Sequence, residues 1–135
     1  MRILITGATG YIGKRLIPIL LNEGHHLICT VRDIARIEDL YAKQENIEFI
    51  EIDFLKADSL SSIPFEFDIA FYLIHSMSNS AKEFHILEER CAFNFKRALE
   101  KTAVKQVIYL SGITNDTKLS THLLSRKNVE NTLLS

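Results

Sequence analysis

Residues 2–16 read RILITGATGYIGKRL. The first five, Arg2 to Thr6, form a short run rich in Ile and Leu, the pattern of a strand buried on both faces. Directly behind it stand Gly7, Gly10 and Gly13, spaced by three, and the apolar positions of Tyr11 to Asn22 then recur at helical spacing. A strand that turns abruptly into a helix aims the first N–H groups of that helix, and the positive end of its dipole, at one spot. Glycines allow the tight turn and let an anion reach the backbone without meeting a Cβ. The spacing is GxxGxxG rather than the more general GxGxxG, but the glycines sit between strand and helix and open a βαβ unit of about 30 residues, the context that gives them meaning. The loop, Gly7, Ala8, Thr9, Gly10, Tyr11, Ile12 and Gly13, reads as a phosphate cradle for a dinucleotide. A structural turn without a ligand is the plainer alternative.

Outward from this loop the alternation continues. The EGH turn leads into a second strand, His26 to Val31, and the spacing of Ile34, Ile37 and Tyr41 predicts a helix over Ile34 to Gln44. Ile47 to Ile52 reads as a third strand, Ala57 to Ile63 as a short helical or turn segment, and Asp68 to Ile74 as a fourth strand. Ala81, Phe84, Leu87, Cys91, Phe95 and Ala98 draw one apolar stripe along a helix from Ser80 to Thr102. Val104 to Leu110 is a fifth strand and Leu119 to Leu134 a last helix. Apolar strands separated by helices imply an α/β fold with a parallel sheet covered on both faces. Right-handed crossovers make that sheet doubly wound, in the order 3-2-1-4-5, with the mixed strand IEFIEI at an edge. Pro18 interrupts the first helix's hydrogen bonding, yet amphipathic spacing continues on both sides, so the helix is kept. The whole chain, 1–135, reads as one domain. No strand follows the last helix, so the fifth strand is expected at an uncovered edge. Either the chain is truncated before a sixth strand and a substrate region, or something else covers that edge.

Composition narrows the function. The chain is 47% hydrophobic and 24% charged with a net charge of −1, an ordinary globular balance. Its Lys and Arg are scattered, whereas a grip on nucleic acid needs a clustered basic face, so no nucleic-acid partner is expected. Cys29 and Cys91 lie in apolar surroundings without the spacing of a zinc site or a disulfide framework, so buried free thiols and no metal are expected. Apolar runs such as LIPILL fall far short of the roughly 20 residues a membrane span requires. A cytoplasmic location away from the membrane fits both observations. His25 and His26 are adjacent at the start of a strand, so they should point to opposite faces rather than chelate together.

TGATGYIG resembles the cofactor loop of the extended and atypical short-chain dehydrogenase/reductase superfamily, and the likeness runs along essentially the whole chain. It includes the EGH turn, IDFLKADSL after the third strand and VIYLSG at the fifth. FYLIHSM and LSTHLLSR are similar to the NmrA-like, NAD(P)H-binding members, often labelled nucleoside-diphosphate-sugar epimerase-like. The resemblance implies a Rossmann domain that binds NAD(P), and in this family a proline is common where Pro18 stands. Aligned on the EGH turn, the position that is acidic in NAD-dependent members falls on Val31, with Arg32 next and Asp33 two positions late. A guanidinium grips phosphate in bidentate fashion, and Arg36 is near enough along the chain to assist, so NADP is the expected cofactor. Arg32 as a solvated strand-end charge is the alternative. The family also places an Asp-apolar pair beside the adenine, which implies Asp53 with Phe54 or Leu55; Asp53 is also suited to capping the short helix that follows. Leu73, Ile74 and His75 fall at the carboxyl end of the fourth strand, the edge where doubly wound folds bind ligands.

Members that reduce or epimerise usually carry Tyr-x-x-x-Lys. Four residues beyond Tyr11, Tyr41, Tyr72 and Tyr109 stand Arg15, Glu45, Ser76 and Ile113, so the pair is missing here. His122 and Arg126 have the same spacing, one helical turn apart, and are candidates for a proton-handling pair or simply two exposed polar residues. Ser111 matches the first position of the family's serine cluster. The expected function is an NADP-dependent oxidoreductase of the atypical type, or its cofactor-binding portion, acting on a small molecule. The alternative is a non-catalytic NADP(H)-binding regulatory or redox-sensing module that works through a protein partner.

Overall fold

A computed structural model describes residues 1–74, 81–110 and 121–134; within the helices, side chains are described except at 81, 82, 84 and 121–126. In chain order the elements are β1 (Arg2–Thr6), α1 (Tyr11–Asn22), β2 (His26–Val31), β3 (Ile47–Glu51), β4 (Ile69–Tyr72), α2 (Ala81–Leu99), β5 (Gln106–Tyr109) and α3 (Thr121–Leu134). The strands form one sheet in the order β3-β2-β1-β4-β5. All four pairings are parallel, with Thr6 opposite Tyr72 and Tyr72 opposite Tyr109. This is the doubly wound Rossmann-type sheet that the alternation implies, with β3 at one edge and β5 at the other.

Alternation along β1 divides the core in two. Ile3 and Ile5 face one side, where Ile17 and Leu20 of α1 pack with Leu27, Cys29, Val31 and Ile37. Leu4 faces the other, where Cys91, Ala92, Phe95 and Leu99 of α2 and Val129 of α3 close over Ile28, Phe54, Leu60 and Tyr72. Successive side chains of a strand point to opposite faces, so one apolar run feeds both cores. Both cysteines are buried.

The segment after β2 differs from the expected helix. It holds two short 3₁₀ turns, Ile34–Arg36 and Glu38–Tyr41. Ile37, with φ −131° and ψ −24°, leaves helical geometry between them. The reason is packing: Ile37 is 3% exposed and anchors the segment, while Leu40 is 74% exposed. One buried side chain does not stabilise a helix of that length, since helices in proteins depend on a packed face. Pro18 lies inside a continuous α1, on its exposed side. No helix among the described residues is long and apolar enough to cross a membrane.

Candidate functional site

Parallel strands bring their carboxyl ends to a single edge of the sheet. The described residues just after β1, β2, β3 and β4, which include the cofactor-binding candidates from Gly7 to Ile74, therefore share that edge. Strand order reverses between β1 and β4, the kind of switch point at which doubly wound folds bind ligands.

Thr6 fastens this junction. Its hydroxyl donates to the Phe71 carbonyl at 3.0 Å and accepts from the Leu73 N–H at 3.2 Å. The chain then turns at Gly7, with φ 72°, so close to β4 that a Cβ would lie 2.6 Å from the Leu73 carbonyl oxygen. Only glycine tolerates both the dihedral and the approach. Ala8 is fully buried. The Gly10 N–H donates to the Gly7 carbonyl at 3.1 Å and closes the loop. A Cβ on Gly13 would overlap that same carbonyl and lie 2.9 Å from Ala8 Cα, so the loop lies flat against the first turn of α1.

Gly10 differs from its neighbours. It caps α1 in extended geometry, φ −76° and ψ 176°, and supplies no side chain to the first-turn N–H groups. A Cβ there would meet nothing nearer than the Gly7 carbonyl oxygen at 3.4 Å. Its missing side chain keeps space open on the outer surface of the loop, where Thr9, Gly10, Tyr11 and Ile12 are exposed. The first turn of α1 contains no acidic residue. Open N–H groups, a dipole end and a vacated Cβ position together suit an anion.

At the end of β2, Val31 is buried and Arg32 is exposed. Arg32 has no ion-pair partner among the described residues. Asp33 is engaged through both oxygens: Oδ1 accepts from the Ala35 N–H at 3.1 Å, capping the 3₁₀ turn, and Oδ2 lies 3.7 Å from Nε of Arg36. Arg36 is otherwise open to solvent, with its side chain 83% exposed.

Asp53 behaves differently from the capping role considered for it. The short 3₁₀ helix Ala57–Ser62 is capped by Lys56 without a side-chain bond. Asp53 Oδ1 instead accepts from the Leu55 N–H at 3.0 Å, because an Asp side chain reaches the N–H two residues on more readily than one four away. Phe54 points into the core, 7% exposed, edge-on to Phe95 at 6.0 Å. Its carbonyl accepts from Asn94 Nδ2 at 2.7 Å, tying the β3 loop to α2. Leu55 is 37% exposed and is the apolar side chain of the pair left facing outward. Leu73 packs against the α1-side core and Ile74 against the α2-side core, so the two straddle the junction.

His75 and Ser111 lie outside the described residues. His122 and Arg126 lie on α3, one turn apart along its backbone. His25, which precedes β2, and His26, which begins it, take separate partners: His25 approaches the N-terminal amine at 3.2 Å and Glu23 at 3.6 Å, while His26 approaches Glu48 at 3.5 Å. Burial pushes the Cys29 thiol up to about 12, so it is no nucleophile near neutral pH. The reading from sequence passed over Thr6 and the pairing of Arg15 with Tyr11. Arg15 places its guanidinium carbon 3.5 Å from the centroid of the Tyr11 ring.

A family model described as NAD(P)H-binding matches residues 7–133. The chain belongs to that family. It is 30% identical over 120 residues to the auxiliary protein GraX of Staphylococcus aureus, covering 85% of this chain and 38% of GraX. It is 34% identical over 84 residues to a UDP-glucose 4-epimerase of Mycolicibacterium smegmatis, covering 58% of this chain and 26% of the epimerase. Its fold is similar to that of the Citrobacter sp. triphenylmethane reductase complexed with NADP(H), with a TM-score of 0.80, 17% identity, and coverage of 99% of this chain and 45% of the reductase. The chain thus spans less than half the length of these relatives. It is an NAD(P)H-binding Rossmann domain.

Proposed function

We propose that this chain is the cofactor-binding portion of an NADP-dependent oxidoreductase, with the dinucleotide laid along the carboxyl edge of the sheet. The observation that carries the reading is Gly10, whose absent Cβ leaves open the space over the first turn of α1 that a pyrophosphate would fill. The residues present fit such a group. Tyr11, Ile12 and Gly13 offer backbone N–H groups to the phosphates, Arg32 and Arg36 offer guanidinium groups to a ribose phosphate, and Asp53 and Leu55 border the adenine. Leu73 and Ile74, at the switch point, are the candidates to border the nicotinamide, with His75 next in sequence.

NADP is preferred over NAD because of the end of β2. An NAD site needs a carboxylate placed to accept from the ribose 2′-OH, and the position aligned with it is the buried Val31, while Asp33, two residues on, caps the 3₁₀ turn through Oδ1. Arg32 stands beside it as an exposed cation. When bound, the cofactor supplies hydride transfer, and the protein supplies binding, orientation and electrostatics. His122 with Arg126, and Ser111, are the candidates for handling protons.

The test is a pair of titrations, NADPH and NADH, on the wild type and on Arg32→Ala. A guanidinium–phosphate contact is worth about 1.5–3 kcal/mol. Arg32→Ala is therefore expected to weaken NADPH at least tenfold and leave NADH unchanged. Equal effects on both would remove Arg32 from 2′-phosphate recognition.

A second reading is a regulatory NADP(H)-binding module acting through a protein partner. It is favoured by the lack of Tyr-x-x-x-Lys in this sequence and by similarity to a protein named as an auxiliary one. NADPH oxidation with a panel of quinones and aldehydes separates the two: turnover supports the enzyme, and binding without turnover supports the module.

A further inference from the structure

Arg15 lies one turn into α1, and its side chain doubles back towards the helix N-terminus, the direction in which helical Cα–Cβ bonds lean. Two contacts fix it. The guanidinium carbon lies 3.5 Å from the Tyr11 ring centroid, and Nη1 donates to the Tyr11 carbonyl at 3.1 Å. A cation is thereby held against the first residue of the helix, beside the N–H groups that the glycine loop leaves open.

These two contacts hold Arg15 with no help from the helix dipole or from a carboxylate. The N-terminal end of a helix is already positive, and cations are favoured at the other end. The first turn holds no acidic residue, and Arg15 has no carboxylate partner among the described residues. Nor is Tyr11 there to fill a core, since it is 69% exposed. Its ring carries the guanidinium, and a guanidinium stacked on an aromatic face loses less freedom when it forms hydrogen bonds.

We propose that Arg15, positioned by Tyr11, is a pyrophosphate-binding residue. It grips the phosphates common to all nicotinamide dinucleotides, whereas Arg32 reads the 2′-phosphate that only NADP carries. The proposal rests on the dinucleotide reading of the glycine loop. An anion between the helix N-terminus and Arg15 would meet positive charge from both.

Calorimetric titration with NADPH, NADH and ADP-ribose tests this on the wild type, Arg15→Ala, Tyr11→Phe and Tyr11→Ala, with circular dichroism confirming that each variant is folded. Arg15→Ala should weaken all three ligands by the same factor, about tenfold or more. Tyr11→Phe keeps the ring and should retain more of the affinity for all three than Tyr11→Ala, which loses the ring that carries the guanidinium. Two results overturn the proposal: unchanged affinities in Arg15→Ala, or a loss confined to NADPH, which would make Arg15 a 2′-phosphate residue. A folded wild type that binds none of the ligands removes the dinucleotide reading itself, an outcome distinct from a binding wild type in which Arg15 is silent.

Discussion

Gly10 and Gly13 are three residues apart and do opposite things. Gly13 is required by the fold, because a Cβ there collides with the backbone of Gly7 and Ala8, which cannot swing away as a side-chain tip can. Gly13→Ala is expected to destabilise the domain by about 1–3 kcal/mol in urea unfolding. Gly10 sits in ordinary extended geometry with room for a methyl group on the protein's side. Gly10→Ala should unfold at nearly the wild-type urea concentration while losing NADPH affinity at least tenfold; a stable variant with full affinity would mean that nothing occupies that space. The glycine loop was legible in the sequence because its demands are backbone demands, and few residue types meet them. Thr6 and Arg15 were not. A threonine ending a strand or an arginine on a helix has many uses, and only the coordinates show the hydroxyl joining β1 to β4 or the guanidinium lying on Tyr11.

Element by element, periodicity served best where a segment packs along its whole length. α1 and β1 end where the spacing predicts, since each buries a continuous face. The segment after β2 had helical spacing at three positions, but only Ile37 is fully buried, with Ile34 and Tyr41 half-buried beside it, and the chain settled for two 3₁₀ turns. The stripe on α2 was read from its apolar members, so it passed over Glu88, which is 2% exposed among them. Pattern reading assigns carboxylates to the outside and has no means of placing one within a core. The stripe's centre is Phe95, fully buried, 4.7 Å from the Tyr72 ring and 6.0 Å from Phe54. Phe95→Ala should cost about 3–5 kcal/mol of unfolding free energy. Ile86→Ala, on the open face of the same helix at 46% exposure, should fall within about 0.5 kcal/mol of the wild type. Similar losses in the two variants would contradict the assignment of faces.

For the molecule as a whole, two cores cover opposite faces of one parallel sheet. The same burial sets the response to alkali. Burial raises the Cys29 thiol to about 12, and it raises the Tyr72 hydroxyl as well, with Cys91, Glu88 and Tyr109 adding to the effect. In an unfolded chain a thiol loses its proton near pH 8.5 and a phenol near pH 10, approximately. Above those values the folded state binds more protons than the unfolded one, so stability falls as pH rises. The contribution is fully present below about pH 8.5 and declines towards the folded pKa. The urea midpoint should be lower at pH 10 than at pH 7.5, with a shallower fall in Cys29→Ala; the same slope in both would exclude Cys29 as a cause.

The central claim is that the carboxyl edge of this sheet holds NADP(H), and one measurement addresses it directly: calorimetric titration of the purified, folded chain with NADPH, and with NADH as the comparison. The account predicts saturable binding of one NADPH per chain, with NADH at least tenfold weaker for want of the 2′-phosphate contact. NADH binding as tightly as NADPH would contradict the role given to Arg32, and a folded chain that binds neither would contradict the account at its root.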